Sequence, residues 1–289
     1  MYLIYVLIII LISGTLDIIE KKASEKDELR FWAFGCLTFG IFETLLGIFL
    51  LNSNFSFSIK DLFLVLPISL LSTIGYYFSV LALKNGNISK VSVIMRLKII
   101  WVLILSSIFL PSERLKILQI ILVFIILLLN ILLNYKKGRK GKDLGIIYAF
   151  GYLFSNGGAT FINKLVTLKI ENTMAITFYS GITTIFSIIL ILLLINKMDL
   201  LNLKKFKSKK EVLVMESLEV ISMILLRIAL KTGNVVIISS LSSASIIVAT
   251  FLANIVFKDK ISYKKWFIII LIVLSLITLS IILLTWNGF

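Results

Sequence analysis

Three features of the 289-residue chain predict an all-α integral membrane protein with ten transmembrane helices arranged as two inverted five-helix repeats. The first is composition. Hydrophobic residues make up 59%, charged residues 16%, and the mean hydropathy is +1.07, which is more apolar surface than one globular core can hide. The second is the division of that apolar content into blocks of spanning length with short polar breaks between them. The third is internal repetition: ALKNGN begins at Ala82 and ALKTGN at Ala229, 147 positions later.

In chain order the blocks lie at roughly 2 to 20, 31 to 51, 61 to 83, 89 to 110, 115 to 135, 144 to 164, 172 to 196, 211 to 230, 235 to 257 and 264 to 286. Each is expected to be helical. Lipid offers no water to unpaired backbone groups, and barrel strands are about half this length and alternate in polarity. The first block lacks the basic lead-in and small-residue cleavage site of a signal peptide, and its positive charges follow the apolar run, so it reads as a retained span. The basic stretch YKKGRKGK begins at Tyr135 and forms a mid-chain seam. The expected units are therefore residues 1–135, a basic linker at 136–142, and residues 143–289.

Two further echoes support duplication. GTLDIIEK (Gly14 to Lys21) and GGATFINK (Gly157 to Lys164) both read G-x6-K at an offset of 143, and SERL (Ser112 to Leu115) is echoed by KDKI (Lys258 to Ile261). Five spans per unit is an odd number, so the second unit enters the membrane in the opposite sense. Two similar bundles of opposite orientation can exchange conformations and open a central site to one side and then the other.

Net charge is +15, but the Lys and Arg residues sit in short runs between apolar blocks, the pattern of topology signals rather than of nucleic-acid binding. Loops after odd-numbered blocks hold 21 of these cations and the opposite side holds 6. Positive loops stay cytoplasmic, which puts both termini outside an inner or plasma membrane. With no His and a single Cys, Cys36, the chain offers no disulfide framework and no imidazole metal site. No cofactor, no metal and no enzymatic activity are expected. A phosphate-binding G-x4-GK[ST] loop is also absent, which argues against direct ATP drive.

Several charges fall inside the apolar blocks: Asp17, Glu43, Arg96, Lys98, Glu216, Glu219 and Arg227, with Glu20 near an end. A charge at the centre of a span costs roughly 2.5 to 3.5 kcal/mol on insertion scales, so such residues line water or pair with each other. Ser13, Asp17 and Glu20 form a stripe on the first block; Tyr152, Asn156, Thr160 and Asn163 form its counterpart on the sixth. Glu216, Glu219, Met223 and Arg227 cover one side of the eighth, and the adjacent Glu216 and Glu219 are candidates to carry an exchangeable proton. Arg96 and Lys98 are about 200° apart on a helix and cannot share a face. Arg96 shares a stripe with Ser89 and Ser92 and is the choice for the cavity, as a bidentate partner for a substrate carboxylate. Lys98 is left to pair with Glu43 or pack beside Trp101. Tyr76 and Tyr77 offer aromatic walls or hydroxyls, and the SSLSSAS run from Ser239 to Ser245 favours close helix packing. Arg227 is expected to snorkel from near its helix end, and Glu20 and Lys164 to be interfacial. The expected substrate-binding set is Asp17, Tyr77, Arg96, Tyr152, Asn156, Glu216 and Glu219.

The ten blocks, the two G-x6-K stretches, the AL-K-x-G-N junctions and the SER and KDK turns together resemble the EamA-type branch of the drug/metabolite transporter superfamily over nearly the whole chain. Ser13 and Asn156 stand where that family often has Trp, and the family's Pro in the fourth and ninth helices is absent. The resemblance implies a secondary carrier that moves a small polar metabolite by alternating access, with export of an amino acid or amine as the specific expectation. It also implies cytoplasmic termini, against the charge count. The expected partners are a small-molecule substrate, the lipid bilayer and protons as candidate coupling ion, with no nucleic acid. A lipid flippase or scramblase is the alternative.

Overall fold

The computed structural model describes residues 2–24, 28–51, 55–85, 91, 94–134, 144–202, 206, 208–257 and 263–286. The seam at 136–142, the KDKI turn, Ser89, Ser92 and the end of the ALKNGN junction lie outside these residues. Among the described residues every regular element is helical: α1 (Tyr2–Ser24), α2 (Glu28–Leu50), α3 (Ile59–Asn85), α4 (Lys98–Phe109), α5 (Ile117–Asn134), α6 (Leu144–Lys169), α7 (Thr173–Leu194), α8 (Lys209–Thr232), α9 (Val235–Ser242), α10 (Ser245–Phe257) and α11 (Tyr263–Trp286). Two short 3-10 turns, Pro111–Glu113 and Met198–Leu201, lie between helices.

Among the described residues, four stretches are long and apolar enough to cross a membrane: Leu29–Leu50, Ile59–Asn85, Thr173–Leu194 and Val235–Val256. The outer surface is apolar as well, with Phe49 83% and Leu194 77% exposed. Such a surface suits hydrocarbon, where helices keep every backbone group paired internally. This is a multi-pass membrane protein.

Helix ends follow local chemistry. The Asn172 side chain accepts from the amides of Met174 and Ala175 at the start of α7. The ALKTGN stretch is a stop signal followed by a start signal. The Gly233 amide donates to Ala229 O at 2.8 Å and ends α8, and the Asn234 side chain accepts from Val236 and Ile237 to begin α9. A Cβ on Gly233 would lie 2.8 Å from the tip of the Ile238 side chain and 3.1 Å from both Ala229 O and the Tyr2 ring, so the chain passes closely there.

Most helix packing runs between the two halves of the sequence: α1 on α8 and α10, α2 on α7 and α8, α3 on α6 and α7, α4 on α6, and α5 on α11. The α2–α7 crossing is tight. A Cβ on Gly40 would lie 3.0 Å from Gly181 O, and one on Gly181 would lie 2.7 Å from Gly40 O.

Two of the expected blocks are interrupted. Residues 94–96 are helical, and the chain tightens at Leu97, whose amide donates to Ile94 O at 3.0 Å; the Ile100 amide then donates to Leu97 O at 2.9 Å. Between α9 and α10 the same step recurs 147 residues later, with Ala244 N to Leu241 O and Ile247 N to Ala244 O, both 2.9 Å. These i to i+3 bonds are 3-10 geometry, which inside a helix often marks a hinge. Neither break contains Pro.

Candidate functional site

Lys98 is the first residue of α4, immediately after the Leu97 break. Its Nζ donates to Asn156 Oδ1 at 2.7 Å and to Tyr152 OH at 3.3 Å, and sits 5.6 Å from the centre of the Tyr152 ring. Tyr152 and Asn156 are one turn apart on α6, so their side chains converge on one side of that helix. Small residues let the neighbouring helices close in. A Cβ on Gly157 would lie 2.9 Å from Trp101 and 3.3 Å from Lys98 O, and one on Gly75 of α3 would lie 3.3 Å from the Asn156 amide. Trp101 meets Phe154 edge-on at 5.1 Å and walls the group on one side. Lys98, Tyr152 and Asn156 are each half-buried, while Leu153, Ser155 and Gly157 beside them on α6 are buried. The arrangement offers a partly accessible ammonium, an amide and a phenol ring at a helix break.

The other expected residues lie in different places. Arg96 is half-buried in the helical turn before Leu97 and is engaged by neighbours. Glu216 is 4% exposed on α8 and is pressed against α2, where a Cβ on Gly35 would lie 2.7 Å from its Oε1. The Tyr76 ring flanks the same glycine at 3.5 Å. Glu219, nearly one turn further along α8, is half-buried. Tyr77 packs its ring on Trp32 at 4.9 Å, next to the cluster of Val80, Ile188 and Leu192. Asp17 lies in α1, and its side chain is outside the described residues, as is that of Glu20. Tyr152 and Asn156 are therefore brought together, but with Lys98 as their cation.

Two cations depart from expectation. Arg227 does not snorkel: it is fully buried, with Nη1 2.7 Å from Glu43 Oε1 and 3.0 Å from Thr177 Oγ1, and Nη2 2.8 Å from Ser180 Oγ. Glu43 is thus the partner of Arg227 rather than of Arg96 or Lys98. A mid-span carboxylate and two hydroxyls engage both terminal nitrogens of the guanidinium inside the protein, which offsets the drive to reach the interface. Thr177 and Ser180, three apart on the seventh block, were the legible signal for this site.

Lys164 is not interfacial but 3% exposed. Its Nζ reaches Glu113 Oε1 at 2.6 Å, Leu230 O at 2.5 Å and Gly233 O at 2.9 Å. Glu113 in turn accepts from Val235 N at 3.0 Å, and its carbonyl accepts from Asn234 Nδ2 at 2.6 Å. Lys164 therefore caps the end of α8 while Glu113 caps the start of α9. The second G-x6-K stretch, the ALKTGN junction and the SER turn form one interlocked group.

The chain matches the EamA-like transporter family over residues 1–135 and 143–281. No curated protein matches it. A solved structure named "Crystal structure of protein" superposes with a TM-score of 0.75 at 17% identity, covering 96% of this chain and 97% of that chain, a likeness of fold. With both halves of the sequence matched, the protein belongs to the EamA-like transporter family, as a membrane transporter of the drug/metabolite type.

Proposed function

We propose that the protein is a secondary carrier of an inner or plasma membrane that exports a small polar metabolite, an amino acid or amine, by alternating access. The observation that carries this reading is the exchange relation in the packing. Taking residues 1–135 and 143–289 as two five-span units joined at 136–142, the partner pairs map onto one another when the units are swapped. Counting the spans in order, α3 on α6 becomes α8 on α1, α3 on α7 becomes α8 on α2, and α4 on α6 becomes α10 on α1. The α2–α7 and α5–α11 pairs map onto themselves. Glycine contacts follow the same relation. A Cβ on Gly14 would lie 2.7 Å from Ser245 O and 2.8 Å from Val248 Cγ1, where one on Gly157 faces Lys98 O and Trp101. Ten spans in two inverted units account for this, and such a pair has two related conformations by construction.

In this reading Asp17, Tyr77, Arg96, Tyr152, Asn156, Glu216 and Glu219 face the solute path in the course of the cycle, with Glu216 and Tyr77 packed between helices in the state described. Glu216 and Glu219 supply the exchangeable proton, and the positive-rich loops are cytoplasmic with both termini outside. The test is uptake into proteoliposomes, after a thermal-shift screen of purified protein against amino acids, amines, nucleosides and sugar phosphates. Saturable uptake of an amino acid or amine, stimulated by a proton gradient and reduced by Glu216→Gln or Glu219→Gln, is the expected result. Transbilayer movement of labelled phospholipid without solute uptake sinks the carrier reading in favour of a flippase. An active alkaline phosphatase fused after Phe289 supports the orientation, and an inactive fusion on a stably inserted protein reverses it.

A further inference from the structure

We infer that Lys98 is the anchor for an anionic group of the solute, a carboxylate, and that Tyr152 and Asn156 hold the ammonium in position to receive it. The inference rests on the carrier reading above. Among the described residues, two cations within the apolar helices have a carboxylate in contact: Arg227 with Glu43 at 2.7 Å and Lys164 with Glu113 at 2.6 Å. Among the described residues, Lys98 contacts an amide oxygen, a phenol oxygen and a ring face, all neutral. An ammonium has three donors, so two bonds leave one for an incoming acceptor. Neutral dipoles orient the charge without cancelling it, and an anion arriving from water recovers the electrostatic stabilisation that burial withholds.

The equivalent position in the second half argues the same way. Ser245 follows the α9–α10 break as Lys98 follows the break at Leu97, and its carbonyl faces Gly14 as the Lys98 carbonyl faces Gly157. The packing arrangement is present twice and the charge once. Close packing therefore does not require a cation at this point, and the site has a polarity that fixes which end of a solute enters against α4 and α6.

The test compares free L-amino acids with their carboxamides in thermal-shift titrations of purified full-length protein, using wild type, Lys98→Gln, Lys98→Arg and Arg96→Gln. The expected result is stabilisation by the acids over the amides in wild type, weakened about tenfold or more in Lys98→Gln and partly retained in Lys98→Arg. Acids no better than amides in wild type, or acid binding unchanged in Lys98→Gln, overturns the inference. Loss of the acid preference in Arg96→Gln alone also overturns it and returns the role to Arg96. Should Lys98→Gln fail to accumulate, the Lys98→Arg protein decides: its acid preference must survive in reduced form, and an unaltered affinity counts against an ammonium-specific site. Uptake separates the two readings. Acid-specific binding without transport in proteoliposomes sinks the carrier and leaves the anchor, whereas amine transport with no acid preference does the reverse.

Discussion

The helices broken at Leu97 and Ala244 use one backbone device for two kinds of chemistry. Each tightens through a pair of i to i+3 bonds, the two sets 147 residues apart, and each presses its next residue against a glycine of the helix that crosses it. At the first break stand Arg96 and Lys98, and at the second Ser243 and Ser245. Ser243 is held locally, its hydroxyl donating to Ser240 O at 2.6 Å and meeting Asn130 Nδ2 at 3.0 Å. The comparison separates what packing demands from what it merely tolerates. A glycine lies closely packed under the break in both places. A cation beside it is tolerated in one.

The largest expected effect fixes the scale for a buried cation whose partner is permanent. Glu43→Ala leaves Arg227 fully buried without its carboxylate, with Thr177 and Ser180 as remaining partners. The expected loss is about 3 to 5 kcal/mol of stability, read as poor membrane accumulation and a lowered unfolding midpoint in detergent. A loss below 1 kcal/mol would mean that Arg227 is no better compensated than Lys98, and the contrast between paired and unpaired cations would collapse.

The two glycines come next and should not be equal. A Cβ on Gly14 meets Val248 Cβ at 2.5 Å and the Ser245 carbonyl at 2.7 Å, groups fixed to the backbone. One on Gly157 meets the Trp101 ring at 2.9 Å and the Lys98 carbonyl only at 3.3 Å, and a ring can tilt. Gly14→Ala is expected to cost about 3 kcal/mol and Gly157→Ala about 1 to 2 kcal/mol. Thermal unfolding of the two variants side by side gives the order, and a reversed order removes the argument that the breaks are packed alike.

A smaller effect lies at the second break. Asn130 is fully buried and donates to Ile126 O at 2.9 Å and to Ser243. Asn130→Ala removes the bond to Ser243 and is expected to cost about 1 kcal/mol or more. The same substitution should leave ligand affinity at Lys98 unaltered, since the Lys98 ammonium is held by Tyr152 and Asn156 of α6.

Much of the fold was legible because lipid imposes few rules. Blocks of spanning length gave the helices, and the repeated hexapeptide gave the correspondence between the halves. The breaks were not legible, because neither carries Pro or an internal Gly. At the site, periodicity grouped Tyr152 with Asn156 correctly on α6, but it could not say which α4 cation they meet. Arg96 and Lys98 are about 200° apart on a helix, and spacing alone does not say which of them turns toward α6. Arg227 and Lys164 were misread for a related reason. Distance from a helix end does not reveal whether a neighbouring helix supplies a carboxylate, and here Glu43 and Glu113 do.

The smallest stability effect is the most informative about the comparison. Lys98→Ser converts the first break to the composition of the second. If Lys98 were structural, its removal would strand Asn156 and Tyr152 and resemble the loss of Glu43. Both residues are half-buried rather than sealed, however, so water can replace the ammonium on the amide and phenol oxygens. The substitution also removes a cation that has no carboxylate in contact among the described residues and that costs roughly 2.5 to 3.5 kcal/mol to hold at the centre of a span. These terms oppose one another, and the expected net change is within about 1 kcal/mol in either direction. The check is the unfolding midpoint of Lys98→Ser in detergent without ligand, measured beside Glu43→Ala. A midpoint near wild type leaves Lys98 as a residue kept for its charge, while a loss on the scale of Glu43→Ala would make it a structural partner of α6 and erase the difference between the two breaks.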